Sequence, residues 1–233
     1  MAGFTLTSTS HVSWIGDSLS TDFGGPGDAV WKDDGFMPTI QSFYGSFRVV
    51  ARPYVNTSGA VAARSTYPTF AINGLAGRQI TDVSPTITNF IDPNTTSTHV
   101  VIQLGVNDAV AGTSSPTLTT AVNKIHDDLA TAGIHSILWI GPFTHGEKWP
   151  SGQNANDTDI DRVDALLSGL MAGYGAGYDY VPWRQVYAIQ EPLRNPSNLT
   201  QGIFTSDGTH PRTVDQIGMS ILIGCVRSKI TLT

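Results

Sequence analysis

Cysteine is almost absent. Cys225 is the only one among 233 residues, which excludes an internal disulfide and any metal cluster built on several thiolates. It lies in the apolar run 221–226, a context that fits a buried, inert thiol. Charge is scarce as well: Asp, Glu, Lys and Arg make up 14% of the chain, the net charge is -6, and there is no basic run. That balance argues against a nucleic-acid partner. No apolar run approaches the about 18 residues of a membrane-crossing helix, so no membrane insertion is expected. Residues 1–10 lack a basic segment followed by an apolar stretch. The expectation is a soluble chain with no visible targeting signal, either cytoplasmic or exported or virion-associated with a leader absent. No glycine-rich phosphate loop with a lysine occurs, and no His/Glu cluster has zinc spacing. The acidic stretch Asn154–Asp161 lacks the glycine and glutamate of a calcium loop. It suits the start of a helix, where acidic side chains complement the macrodipole.

What is present is an alternation of apolar runs and helical periodicity. Val12–Ile15 reads as a strand, Phe36–Tyr44 as a helix, and Phe47–Val55 and Thr66–Ile72 as one or two strands. Ile80–Ile91 reads as a short helix. Thr98–Leu104 is nearly continuous apolar, as a strand covered on both faces should be. Pro116–Thr131 has apolar residues at helical spacing and is closed by Gly133; Ser136–Ile140 is another buried strand. Asp159–Met171 is helical, Tyr178–Val181 a short strand, and Thr213–Lys229 the last helix. With no repeat and no composition break, residues 1–233 are read as a single α/β domain. It has a mostly parallel, doubly wound sheet and helices on both faces.

In such a sheet, ligands bind beyond the carboxyl ends of the strands. Four motifs fall at such positions or before the last helix: Gly16-Asp17-Ser18, Gly74–Gly77, Gly105-Val106-Asn107-Asp108 and Asp207-Gly208-Thr209-His210. Each carries a residue type that acyl transfer requires. Ser18 is a hydroxyl nucleophile, inert until a base takes its proton. His210 is a base with a pKa near neutrality. Asp207, three residues earlier, can accept the other ring N–H and hold the tautomer. The main-chain N–H groups of Ser18 and Gly77 and the side-chain amide of Asn107 can together hold a tetrahedral oxyanion. Asp108 is assigned a structural role. Asp17 braces the nucleophile turn or, with Arg78 and His145, contacts substrate.

The order Gly-Asp-Ser-Leu-Ser, a motif glycine, Gly-x-Asn-Asp and Asp-x-x-His-Pro resembles the SGNH (GDSL-type) esterase and lipase superfamily. The resemblance runs from Ser18 to His210. It implies a three-layer α/β/α sandwich with about five parallel strands in flavodoxin-like order and no cofactor. It also implies a Ser18–His210–Asp207 triad with Gly77 and Asn107 in the oxyanion hole. Gly74 competes with Gly77, and position in the motif favours Gly77. Arg78 stands where the family usually has a small or acidic residue. Segment 47–67 is longer than a minimal member needs and could form an extra hairpin. The expected reaction is hydrolysis of carboxylic esters on a small molecule or glycan, with a short acyl group, often acetyl, on a sugar. Trp31, Trp149 and Trp183 could stack on sugar rings. A glycan-binding or accessory domain of a surface or virion assembly, and an acyltransferase using the same triad, are the competing classes. Oligomeric state stays open.

Overall fold

The structure is a computed structural model that describes residues 4–6, 10–17, 48–50, 69–75, 77–91, 98–142, 157–182 and 229–232. Its centre is a fully parallel six-stranded sheet. The strands are β2 (His11–Gly16), β3 (Arg48–Val50), β4 (Thr69–Gly74), β5 (His99–Gln103), β6 (Ile137–Ile140) and β7 (Tyr178–Val181), in the spatial order β3-β4-β2-β5-β6-β7. Without β3, five strands remain in the flavodoxin-like order; β3 adds a sixth at the edge. Arg48–Val50 pairs parallel to β4, which makes this part of the 47–67 segment the outermost strand of the sheet among the described residues. The rest of that segment lies outside the described residues, as do the expected helix 36–44 and, up to residue 228, the expected helix 213–229.

The continuous apolar run of β5 is explained by its place between β2 and β6. Val100, Val101 and Ile102 are all fully buried, and adjacent side chains of a strand point to opposite faces. Parallel register places Ile15, Ile102 and Trp139 side by side on one face. There they join a core with Leu118, Val122, Ile125 and Leu129 of α3 (Ser115–Thr131) and Ile160, Val163 and Leu167 of α4 (Asp157–Tyr174). Each such side chain contributes about 1.5–3 kcal/mol on burial. The opposite face of the sheet, with Val12, Trp14, Val101 and Leu138, is buried too, as the middle layer of an α/β/α sandwich requires.

Local chemistry sets the helix limits. Ser114 caps α3, its hydroxyl accepting from the Thr117 N–H at 3.4 Å, and Pro116 sits in the first turn, where a missing N–H costs nothing. The acidic start of α4 at Asp157 places Asp159 in its first turn. The helix expected over 80–91 is divided into α1 (Ile80–Val83) and a 3₁₀ segment, Ser84–Phe90, with a kink at Thr86. Pro85 removes one donor and crowds the preceding turn, so the α ladder cannot run through. Two strands carried no sequence signal. β1 (Phe4–Leu6) pairs parallel with β8 (Ile230–Leu232), and the Thr5 carbonyl lies 2.7 Å from the His99 ring Nε2. Among the described residues, no helix is long and apolar enough to cross a membrane.

At the end of β6, Gly141 is required by its neighbours. The Tyr180 hydroxyl donates to the Asp164 carboxylate at 2.5 Å, both residues are buried, and a Cβ at position 141 would run into the hydroxyl. Burial first, and the Asp164 charge second, push the Tyr180 pKa far above its ordinary value, so the hydroxyl keeps its proton as donor. Gly141→Ala is therefore expected to lose about 1–3 kcal/mol of stability by overpacking. Urea denaturation checks this, and a variant as stable as the parent would contradict it.

Candidate active site

The ends of three strands are level. Gly16, the last residue of β2, is in register with Gly74 of β4 and Gln103 of β5. The segments that follow them leave the sheet side by side, at the position where open α/β sheets bind ligands.

The first segment is Gly16-Asp17. The Gly16 carbonyl accepts from the Leu75 N–H and from Nη1 of Arg78, both at 3.1 Å. Asp17 is buried at 1% exposure and accepts from Nδ2 of Asn107 at 3.3 Å. Ser18 follows Asp17 directly in the chain and lies outside the described residues.

The second segment turns sharply, with the Arg78 N–H donating to the Leu75 carbonyl at 3.2 Å. Gly77 has φ +78°, the left-handed conformation a side chain resists. It is exposed, and no described atom lies within 4 Å of where a Cβ would stand. Arg78 is the opposite, with 3% exposure. Its guanidinium lies 4.9 Å from the centre of the Phe90 ring, a favourable cation–π arrangement. Burial lowers its pKa to about 10, opposed by the nearby carboxylates of Asp17 and then Asp82, so it remains a cation at neutral pH. Beyond it, the Gln79 N–H donates to Asp82 at 2.7 Å and closes the entry to α1.

The third segment leaves β5 through Leu104, whose carbonyl accepts from the Trp139 indole N–H at 3.3 Å. Gly105 has φ +127°, and a Cβ there would press on Val163 and Leu167 of α4, each at 3.2 Å. This glycine permits the turn that starts α2 (Val106–Val110) and aims Asn107 back toward the second segment. Nδ2 of Asn107 donates to the Arg78 carbonyl at 3.1 Å as well as to Asp17.

Of the residues singled out in the sequence, Asp17, Gly77, Arg78 and Asn107 are thus brought to one place. Ser18, Asp207, His210 and His145 lie outside the described residues, as do Trp31, Trp149, Trp183 and Cys225. Sequence reasoning gave Asp108 a structural role without finding its partner. Its side chain is fully buried and its Oδ2 accepts from the Ile80 N–H at 2.9 Å, joining the second and third segments. Oδ1 makes no hydrogen bond among the described residues. Among the described residues there is no group of three or more His, Cys, Asp or Glu side chains that could hold a metal ion.

No protein-family model matches the sequence, nor does the sequence of any curated protein. Solved structures do match the fold. The acetyl xylan esterase AlAXEase is 20% identical, with 94% of this chain and 98% of that one covered at a TM-score of 0.67. A protein described as a GDSL-like lipase from Parabacteroides merdae is 13% identical, with 98% of each chain covered at a TM-score of 0.68. A catalytic mutant of the acetylxylan esterase Axe2 from Geobacillus stearothermophilus, with a serine replaced by alanine, is 13% identical; 96% of this chain and 95% of that one are covered at a TM-score of 0.65. The chain shares the fold of these three proteins, in agreement with its parallel sheet and strand order.

Burial raises the Asp108 pKa from 3.8 to about 6, against the lowering effect of backbone donors led by Ile80. Over that interval the unfolded chain releases this proton and the folded chain keeps it. The contribution of Asp108 to stability is therefore greatest below about pH 4 and is lost as the pH rises to about 6, a difference of about 3 kcal/mol. Asp108→Asn keeps an acceptor for Ile80 and removes the titration. Denaturant melts of both proteins should show the Asn variant gaining on the parent as the pH rises through this window. A constant difference would contradict the assignment.

Proposed function

We propose that the chain is a serine hydrolase of the SGNH/GDSL type that cleaves carboxylic esters. The observation that carries the reading is the meeting of Asp17, Gly77 and Asn107 at the level ends of β2, β4 and β5, in a fold shared with acetyl xylan esterases. In this reading His210, held in one tautomer by Asp207, takes the proton of the Ser18 hydroxyl as its oxygen attacks the ester carbonyl. The tetrahedral oxyanion is held by the N–H groups of Ser18 and Gly77 and by Nδ2 of Asn107. The alcohol leaves with the proton from His210. Water then attacks the acyl-enzyme by the same route, giving the acid and free Ser18. Both hydrogens of Nδ2 have acceptors in the resting site, Arg78 O at 3.1 Å and Asp17 Oδ2 at 3.3 Å. The longer contact is the one an oxyanion takes over.

The substrate reading is a short acyl group, with acetyl on a sugar or polysaccharide first. It is supported by the matched structures, two of which belong to enzymes named for acetyl xylan. Asp17, Arg78 and His145 stand outside the catalytic set.

A fluorophosphonate probe tests the reading. The parent should be labelled at Ser18, Ser18→Ala should not, and the parent should release p-nitrophenol from short-chain esters and acetate from acetylated xylo-oligosaccharides. Asn107→Ala removes one oxyanion donor and is expected to lower turnover by about 10²–10³-fold with the fold retained by circular dichroism. A folded Asn107→Ala variant with parental turnover would overturn the role of that residue. A parent that resists the probe would overturn the hydrolase reading.

A further inference from the structure

We propose that Arg78 is a positioning residue of the oxyanion hole: its buried guanidinium and its own peptide group lock the three strand-end segments into one frame. The inference rests on the hydrolase reading above. Sheet pairing in register ends at Gly16, Gly74 and Gln103, so Gly77 and Asn107 lie past the residues that the ladder holds. Another constraint has to fix their separation.

Arg78 touches all three segments. It belongs to the second and follows Gly77, whose left-handed turn its N–H closes on Leu75. Its side chain reaches back to the first segment, where Nη1 donates to the Gly16 carbonyl at 3.1 Å. That carbonyl belongs to the peptide unit joining Gly16 to Asp17, one residue ahead of Ser18, so holding it restricts how the chain enters the nucleophile position. Its main-chain carbonyl accepts from Nδ2 of Asn107 in the third segment at 3.1 Å, which fixes the amide that is to meet the oxyanion. The guanidinium has further neighbours: the Phe90 ring lies at 4.9 Å, and Asp17 and Asp82 supply the nearby negative charge.

The cation has an electrostatic role as well. Asp17 Oδ2 stands 3.3 Å from Nδ2 of Asn107, and an unbalanced carboxylate beside a forming oxyanion would oppose the reaction. A permanent cation in the same buried pocket offsets that charge. Arginine suits the position better than lysine, since its delocalised cation lies over the Phe90 ring while Nη1 donates to the Gly16 carbonyl. The side chain is 3% exposed, which separates this role from that of a substrate-binding arginine on the rim of a cleft.

The test is steady-state hydrolysis of p-nitrophenyl acetate by the parent, Arg78→Met, Arg78→Lys and Arg78→Ala, with fluorophosphonate labelling rates measured in parallel. Misplacing reacting groups by about 1 Å costs about a hundredfold. Arg78→Met should therefore lose about that factor in kcat and in labelling rate, with KM changed less than about threefold. Arg78→Lys should fall between the two, and millimolar guanidinium ion should restore part of the kcat of Arg78→Ala. If Arg78→Met does not fold, Arg78→Lys and Phe90→Leu carry the test, the latter by removing the ring that holds the guanidinium. Both should lose kcat at nearly constant KM. Parental kcat in folded variants would overturn the proposal while leaving the hydrolase reading intact. A raised KM at unchanged kcat would overturn it in favour of direct substrate contact. A parent that neither hydrolyses the ester nor takes the probe would overturn the hydrolase reading and this proposal with it.

Discussion

The carbonyl oxygen of Gly16 accepts two hydrogen bonds, from the Leu75 N–H and from Arg78 Nη1, each at 3.1 Å, and the candidate site is built outward from it. A main-chain carbonyl has two lone pairs, and both are used here, at the point where β2 stops and the Gly16-Asp17-Ser18 motif continues. The Leu75 bond extends sheet pairing one step past Gly74. The Arg78 bond comes from a side chain that has doubled back after the Gly77 turn. One atom therefore ties the first segment to the second twice, and Asn107 ties the third to both.

That arrangement depends on the interior below it. Trp139 in β6 donates to the carbonyl of Leu104, and Val163 and Leu167 of α4 leave no room for a side chain at Gly105. Asn107 is thus aimed by packing two layers deep rather than by its own turn alone. Asp108, one residue on, spends its carboxylate on the Ile80 N–H at the cost of burying a charge. The raised pKa, about 6, is the measure of that cost. Sites that must hold donors in place without substrate commonly accept such local penalties.

Much of this was legible in the sequence, for reasons that differ by element. β5 and the two long helices announce themselves because a strand covered on both faces is apolar throughout and a helix packed on one side repeats at 3.6 residues. Gly77 and Asn107 could be picked out because each stands in a short motif after a strand. The cross-links could not. The Arg78–Gly16 bond joins positions 62 apart and the Ile80–Asp108 bond positions 28 apart. Both exist only because the parallel register brings those strand ends level. Nothing local marks Arg78 as interior, since an arginine after a turn glycine reads as a surface residue. The β1–β8 pair was invisible for the same reason, being two three-residue strands from opposite ends of the chain. Pro85, by contrast, was in plain view, and its effect on the 80–91 helix follows from its missing N–H.

In the proposed site, three adjacent strand ends form an oxyanion hole served by Ser18. A crystal structure of the parent after reaction with a small fluorophosphonate tests it most directly, because the phosphoryl oxygen of the adduct stands where the oxyanion would. Phosphorus is expected bonded to Ser18 Oγ, with that oxygen about 2.7–3.1 Å from the N–H groups of Ser18 and Gly77 and from Nδ2 of Asn107. An adduct at another residue, or one whose phosphoryl oxygen turns away from Gly77 and Asn107, would contradict it.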